Sequence, residues 1–416
     1  NKFVFDGDEP LDQGMYLIVL PPDNDIYEII INEDQNFQVS LNHAQGISSM
    51  QINGNEENSS FLQYLRLLRD LKPIGNRLNE ELSTLEPASE SYNAVEDELN
   101  NLGKQVDEKR DELNLKFPES ILSLIIHSSD QIKVPEFEEI VDPDERKMKR
   151  FLYYKKHYFD AFDLNDERLI RTPFFLKRVD YFLDELTVQI PDSITKSIDF
   201  LMHEFSGNDE MFKFHLIHVI NKYAQSKVVG FDAVYVHIVD QYYAKDLASW
   251  VDQEQLDKMI KNSNTLKPIL IGKTAPDIVL KTMEGKAIRL HSIESEYTIL
   301  YFWDPDCGHC KKSIPKMIDF YEKYKNQGVA ILAVCTKLTD KVPSCWEAVK
   351  DRGMDIWVNA ADAYLRSRYK QVYDIRSTPM IYVLDENKTI LSKKIASTQL
   401  EEVINKLKEL KAQEKL

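Results

Sequence analysis

Apolar and polar positions change rhythm twice along the 416 residues of this chain. Up to about residue 58 they fall in short strand-like runs: Lys2-Phe3-Val4-Phe5, then Met15 to Leu20, Ile26 to Ile31 and Phe37 to Leu41. Turn formers such as Pro21-Pro22-Asp23-Asn24 and Asn32-Glu33-Asp34 separate them. The pattern predicts an antiparallel meander or small sandwich over residues 1–58, and strands this close to the first residue read as a domain that has lost its own beginning.

From 59 to 272 the period becomes helical. Phe61, Leu62, Leu65 and Leu68 share one face, and Ile74, Leu78, Leu82 and Leu85 continue it to Pro87. Beyond that proline, Tyr92, Val95, Leu99, Leu102, Val106 and Leu113 step by threes and fours, interrupted at Lys109. A narrow apolar seam flanked by charge predicts a helical hairpin over about 74–115, closed within one chain because too few clean heptads are present for a dimer zipper. From Pro118 the helices grow more apolar, with candidates at 173–186, 193–205 and 210–226. From 273 to 416 strands alternate with helices, the grammar of an α/β domain. The expected architecture is therefore three-part: antiparallel β, mostly helical, then α/β.

Charge sharpens that division. The net charge is −17 overall, but residues 273–416 carry 24 basic against 20 acidic residues, which leaves 28 against 49 for the remainder. So acidic a body repels phosphate backbones and excludes nucleic acid as a partner. No apolar run reaches the length of a membrane span. The 4 cysteines are too few for a disulfide scaffold, and all fall between Cys307 and Cys345.

The stretch from Tyr297 to Pro315 concentrates the chemistry. A buried strand over 298–303 runs through Asp304-Pro305-Asp306 into a helix that opens at Cys307, with Gly308, His309 and Cys310 following. Unpaired N–H groups and the positive dipole end at a helix start stabilise a thiolate, so Cys307 is expected to be the attacking sulfur. Cys310, one turn in, can reach back and resolve a mixed disulfide. A lone Cys-x-x-Cys pair can also hold zinc, but Cys335 and Cys345 lie in a different strand–loop unit and do not form the second pair a zinc site requires. No metal is expected.

Trp303-x-x-x-Cys307-x-x-Cys310, Pro315 five residues on, and the distant Thr378-Pro379 ahead of an apolar strand resemble the active-site pattern of the thioredoxin superfamily. The run Ala275 to Leu280, then Met283-Glu284-Gly285-Lys286 and Ile288-Arg289-Leu290, is similar to the N-terminal hairpin of its TlpA/ResA-like, redoxin-type branch. That resemblance covers about a third of the chain. It implies a thioredoxin fold with an inserted strand and helix around 335–358, a cis bond before Pro379, and thiol–disulfide exchange needing no cofactor. Cys307 and Cys310 would be catalytic, supported by Trp303, Gly308, His309, Pro315, Thr378 and Pro379. Partners would be a disulfide- or dithiol-containing protein and a membrane electron donor. The location would be the periplasm or cell envelope, with a signal or membrane anchor upstream of the residues shown. More weakly, the first two regions resemble accessory domains of unknown function in envelope proteins.

Two positions depart from the family. The buried Asp expected six residues before the first cysteine is Tyr301, and the Glu expected three residues after the second is Ser313. Glu284, Asp304, Asp306 or a water then remain as acceptors for the Cys310 proton. His309 can favour the Cys307 thiolate and raise the potential of the pair, or serve as an exposed spacer. Cys335 and Cys345 are read either as a second disulfide or as buried thiols.

Other candidates carry less. His215 and His218 are one turn apart with no third ligand, and the aromatic-basic run from Phe151 to Phe159 is a candidate binding surface or simply an amphipathic helix. Neither a phosphate-binding glycine loop nor a peroxidase or serine-hydrolase motif occurs. The main reading is a thiol–disulfide oxidoreductase, more a reductase than an oxidase. The alternative is an envelope binding protein with a helical ligand-capturing domain and a redox-inactive thioredoxin fold.

Overall fold

The computed structural model describes residues 3–413. Its contacts divide the chain into two compact units, one formed by the chain through Val188 with Asp199–His215, the other by Gln189–Ile198 with everything from Leu216 onward. This is not the three-way division expected from sequence texture.

In the first unit, β1 (Gly14–Leu20) and β2 (Asp25–Ile31) form an antiparallel ribbon in the register Gly14↔Ile31 to Leu20↔Asp25. A second ribbon pairs β3 (Gln38–Ser40) with β4 (Gln51–Asn53). The two are separate sheets, not one meander. Of the expected first strand, Lys2 lies outside the described residues, while Phe3, Val4 and Phe5 are exposed coil: an apolar triplet with no strand beside it gains nothing from extension.

The helical hairpin comprises α1 (Glu56–Thr84) and α2 (Glu90–Lys116). It starts well before residue 74 because α1 runs through Pro73, although proline removes one helical N–H bond. Asn55 caps α1 through the Asn58 N–H at 2.9 Å. Asn58 is itself buried, accepting from the Ile30 N–H (2.7 Å) and donating to the Ile30 carbonyl (2.5 Å), so that one side chain completes the edge of β2 as a neighbouring strand would. Ile30, Phe61, Tyr64 and Leu113 share one core with Ile121, Leu122 and Ile126 of α3 (Ile121–His127). Strands and helices here are thus one body, since neither the two-stranded ribbon nor the hairpin base can bury its apolar face alone.

Further along are α4 (Pro143–Lys156), α5 (Phe175–Asp184), α6 (Pro191–Glu204) and α7 (Asp209–Ala224). The end of the aromatic-basic run turns inward: Tyr158 and Phe159 are buried, Phe159 lies against Phe175 and Phe182, and the Arg178 guanidinium stacks 4.3 Å from the Tyr158 ring. His215 is likewise a core residue, its ring stacked on Phe205 at 4.1 Å and its Nδ1 2.9 Å from the Met211 carbonyl.

The second unit contains α8 (Asp232–Ile238) and α9 (Gln253–Leu266), then β5 (Val279–Thr282), β6 (Ala287–Arg289), β7 (Tyr297–Trp303), α10 (Gly308–Tyr324), β8 (Val329–Cys335), α11 (Pro343–Asp351), β9 (Val358–Ala361), α12 (Tyr369–Val372), β10 (Met380–Leu384), β11 (Ile390–Lys393) and α13 (Leu400–Gln413). Seven strands form a mixed sheet in the order β11-β10-β7-β8-β9-β5-β6. β7, β8 and β9 are parallel, while β10 and β11 run antiparallel on one side and the β5–β6 hairpin on the other. Every residue of β7 is buried. Tyr297, Ile299, Tyr301 and Trp303 join Ile314, Met317 and Phe320 of α10 and Leu400 and Ile404 of α13; on the other face Phe302 packs against Tyr369, Tyr373 and Tyr382. A strand buried on both faces reads as a continuous apolar run, as this one does.

The connector into the sheet lies along the outer edge of β11: the Gly272 N–H donates to the Ile390 carbonyl, the Ile390 N–H to the Lys273 carbonyl and the Ala275 N–H to the Lys388 carbonyl, each at 2.8 Å. At the same edge the Lys393 side chain, only 1% exposed, is paired with Asp232 of α8 and donates to the Ile269 carbonyl at 2.6 Å. Burial lowers the Lys393 pKa, and the Asp232 carboxylate opposes that shift. These contacts place residues after 216 with the α/β sheet, where sequence texture alone grouped them with the earlier helices. No helix among the described residues is long and apolar enough to cross a membrane.

Candidate functional site

β7 ends at Trp303 in the middle of the sheet, and the chain must turn at once to start α10. Asp304 makes that turn: its side chain accepts from the Asp306 N–H at 2.8 Å and its carbonyl from the Cys307 N–H at 3.2 Å. Cys307 is then the N-cap of α10, its sulfur accepting from the Cys310 N–H at 3.3 Å. The sulfur therefore occupies the place a capping oxygen would, at the N-terminal end of the helix where a thiolate would be favoured.

The two sulfurs are free thiols, Cys307 partly exposed and Cys310 buried. Burial works against the Cys307 thiolate, but hydrogen bonds from the Cys310 thiol and N–H, the Thr378 side chain and the His309 N–H outweigh it and lower the pKa. Burial pushes Cys310 up to about 12. Folding thus moves the two thiols in opposite directions, favouring ionisation of Cys307 and opposing that of Cys310.

The distant loop closes the site. The Thr378–Pro379 peptide is cis, and the Thr378 carbonyl lies 3.2 Å from the Cys307 sulfur. Of the other residues anticipated from sequence, Trp303 is fully buried in the cluster that holds Cys310. Pro315 lies within α10. Gly308 and His309 are exposed in the first helical turn. Tyr301 and Ser313, at the two positions where the family carries carboxylates, meet each other: their hydroxyl oxygens are 2.8 Å apart, and Ser313 also donates to the Cys310 carbonyl at 3.0 Å. A neutral hydroxyl pair therefore fills the space of two acids.

The suggested proton acceptors are otherwise engaged. Glu284 is exposed at the β5–β6 turn and accepts from the Thr282 hydroxyl at 2.7 Å. Asp304 and Asp306 share the Lys337 ammonium, at 3.1 Å and 2.6 Å.

Cys335 and Cys345 are joined as a disulfide between the end of β8 and the first turn of α11. Two residues that sequence did not single out also touch the site: Lys337, and Arg352, whose Nη2 donates to the Pro305 carbonyl at 2.9 Å. Both follow cysteine-bearing elements closely, but no spacing rule links them to Cys307. Among the described residues no group of three or more His, Cys, Asp or Glu is arranged to hold a metal ion.

The C-terminal third of the chain is similar to known thiol-disulfide oxidoreductases. Residues 271–393 match the AhpC/TSA family, and residues 94–265 match a domain of unknown function, DUF5106. Thiol-disulfide oxidoreductase ResA of Bacillus thuringiensis subsp. konkukian (strain 97-27) is 27% identical over 140 residues, covering 33% of this chain and 78% of the relative. ResA of Bacillus anthracis is 41% identical over 70 residues, 17% of this chain and 40% of the relative. Among solved structures, a domain of a possible thiol-disulfide isomerase from Cytophaga hutchinsonii ATCC 33406 is 33% identical, covering 34% of this chain and 97% of that one with a TM-score of 0.32.

Proposed function

The chain belongs to the TlpA/ResA-like thioredoxin superfamily, with a DUF5106 region ahead of its redox domain, and from that premise we propose that it reduces protein disulfides through Cys307 and Cys310. That it is a thioredoxin-like thiol–disulfide oxidoreductase acting on protein disulfides follows from the family; the direction and the division of labour between sulfurs are our reading. The Cys307 thiolate attacks one sulfur of the substrate disulfide, forming a mixed disulfide and releasing the other sulfur as a thiolate that takes up a proton. Cys310 then loses its proton and attacks Cys307. This forms the Cys307–Cys310 disulfide and frees the second substrate thiol, so two electrons pass from enzyme to substrate. A dithiol donor at the membrane restores the pair by the same exchange in reverse, in an envelope compartment to which an upstream anchor would hold the protein.

The observation that carries this reading is the position of Cys307 as helix cap with a lowered pKa, next to a buried Cys310 raised to about 12. The Thr378 carbonyl beside the Cys307 sulfur offers backbone polar groups to an extended substrate segment. The test is equilibration of the full chain in graded glutathione buffers, reading the Cys307–Cys310 couple. A potential near about −270 mV supports a reductase. A value at or above about −180 mV makes it an oxidant or isomerase and overturns the direction proposed here.

A further inference from the structure

The loop that presents Cys307 is three residues long, and each of them is held from one side. Lys337 spans Asp304 and Asp306, and Arg352 holds the Pro305 carbonyl. Just before Lys337, Thr336 donates to the Trp303 carbonyl through its N–H (2.9 Å) and its hydroxyl (3.2 Å). All three belong to the excursion that leaves the sheet at the end of β8, forms α11 and returns as β9. The Cys335–Cys345 disulfide closes the first part of that excursion, with Thr336 and Lys337 directly after one sulfur-bearing residue and Arg352, outside the closed loop, capping the helix that carries the other. Trp303 and Cys335 are also register partners across β7 and β8.

We propose that the Cys335–Cys345 disulfide is a positioning element for the catalytic thiol, acting through Lys337 and Arg352 to hold residues 304–306 in the turn that makes Cys307 the cap of α10. The proposal rests on the oxidoreductase reading of Cys307. Without the covalent closure, the excursion keeps only non-covalent anchors, such as the Thr339 N–H to the Ala363 carbonyl at 2.9 Å. The turn then relaxes more often, and the cap geometry at the sulfur is occupied for less of the time.

The electrostatics point the same way. Lys337 pairs with both carboxylates of the loop that leads into Cys307, and its own pKa is raised by the Asp306 and Asp304 bonds. The Arg352 guanidinium acts on the buried Tyr301 hydroxyl, and its Nη1 is buried with no partner of its own. A cation thus stands behind the site in a fold branch where buried acids are expected. Besides Lys337, the cations acting on Asp306 are Lys311 and Lys341; the groups at the Cys307 sulfur itself are the Cys310 thiol and N–H, Thr378 and the His309 N–H.

The test is the pH profile of Cys307 alkylation in the full chain with the Cys307–Cys310 pair reduced and the Cys335–Cys345 disulfide kept intact, verified by mass spectrometry, for the wild type and for C335A/C345A, K337M, K337R and R352M. The double cysteine variant removes no charge, so a shift in its profile reports position alone. The expected result is an upward shift of the profile in C335A/C345A, K337M and R352M. Labelling on the acidic side should slow roughly threefold to tenfold, with K337R restored to the wild-type curve. A C335A/C345A variant that is folded by circular dichroism yet labels like the wild type overturns the proposal and leaves the disulfide a staple only. If that variant does not fold, unshifted profiles in K337M and R352M overturn it instead. An ordinary thiol profile in the wild type itself would refute the oxidoreductase reading, a different and distinguishable failure.

Discussion

Removal of the Asp232 carboxylate should damage the second unit more than removal of the lysine it pairs with. Lys393 has 1% of its side chain exposed and Asp232 17%. In Asp232→Ala the ammonium remains buried with the Ile269 carbonyl as its partner at 2.6 Å. Breaking a buried ion pair from one side costs about 3–5 kcal/mol; with Asp232 partly open to water and one acceptor retained, about 3 kcal/mol is expected. Lys393→Met removes the charge itself, and Asp232 can turn toward water, so about 1.5 kcal/mol is expected. Once the lysine is gone, the aspartate has nothing to neutralise. The double variant should therefore resemble Lys393→Met, a coupling of about 3 kcal/mol.

pH supplies a sign test for the same pair. The folded pKa of Lys393 lies below its unfolded value, so the unfolded chain binds the extra proton and stability rises as pH climbs through that window toward about 10.4. In Asp232→Ala the depression deepens, the window widens downward, and the penalty should shrink on the alkaline side. Urea unfolding followed by tryptophan fluorescence reads this unit alone, because Trp250, Trp303, Trp346 and Trp357 all lie in it. Strictly additive penalties, or an Asp232→Ala variant no weaker than Lys393→Met, would refute the reasoning.

Asn58→Ala removes both hydrogen bonds that complete β2 at Ile30 in a buried position; the expected cost is about 2–3 kcal/mol, with loss of hydrogen-exchange protection at the Ile30 amide. Leu113→Ala, in the core that strands and hairpin share, should cost about 3 kcal/mol and lower the strand and helix signals together in a circular-dichroism melt; separate transitions would contradict a single core. In the dithiol protein, Cys307 should alkylate at pH values below the ordinary thiol range while Cys310 remains unreactive until strongly alkaline pH. Because the Cys307 pKa is lowered on folding, its thiolate stabilises the reduced fold above the ordinary thiol value, a contribution lost as pH falls through the folded value. Mass-spectrometric mapping of the label settles the order, and equal labelling of both cysteines would contradict it.

The parts of this protein legible in its sequence are those whose signal is local. The apolar run of β7, the helix start at Cys307 and the turn between them lie within about a dozen residues, and periodicity with capping chemistry specifies them. Thr378 and Pro379 were found through family resemblance, since nothing local says that their carbonyl reaches Cys307. Lys337 and Arg352 left no trace, because an ion pair across a loop imposes no period on either segment. The hairpin expected over about 74–115 starts earlier, because α1 continues through Pro73, where packing of its apolar face outweighs one lost hydrogen bond. Phe3 to Phe5 read as strand on composition, but a strand exists only with a partner. Asn58 shows the converse: a polar residue at the start of an amphipathic helix, buried because its amide substitutes for a strand.

The edge of β11 bears on how this protein can be divided. Residues 272–275 occupy the outer hydrogen-bonding row of that strand, and Asp232 neutralises the lysine beneath it. A redox fragment cut to begin at Pro276, one residue into the Ala275–Leu280 run, would have a row of unmet amides and carbonyls next to an orphaned ammonium. An open row of that kind recruits another strand, most readily from a second copy of the same fragment. Dimers or fibres formed by such a fragment would be products of the cut, because residues 272–275 shield the edge that a further strand would otherwise take.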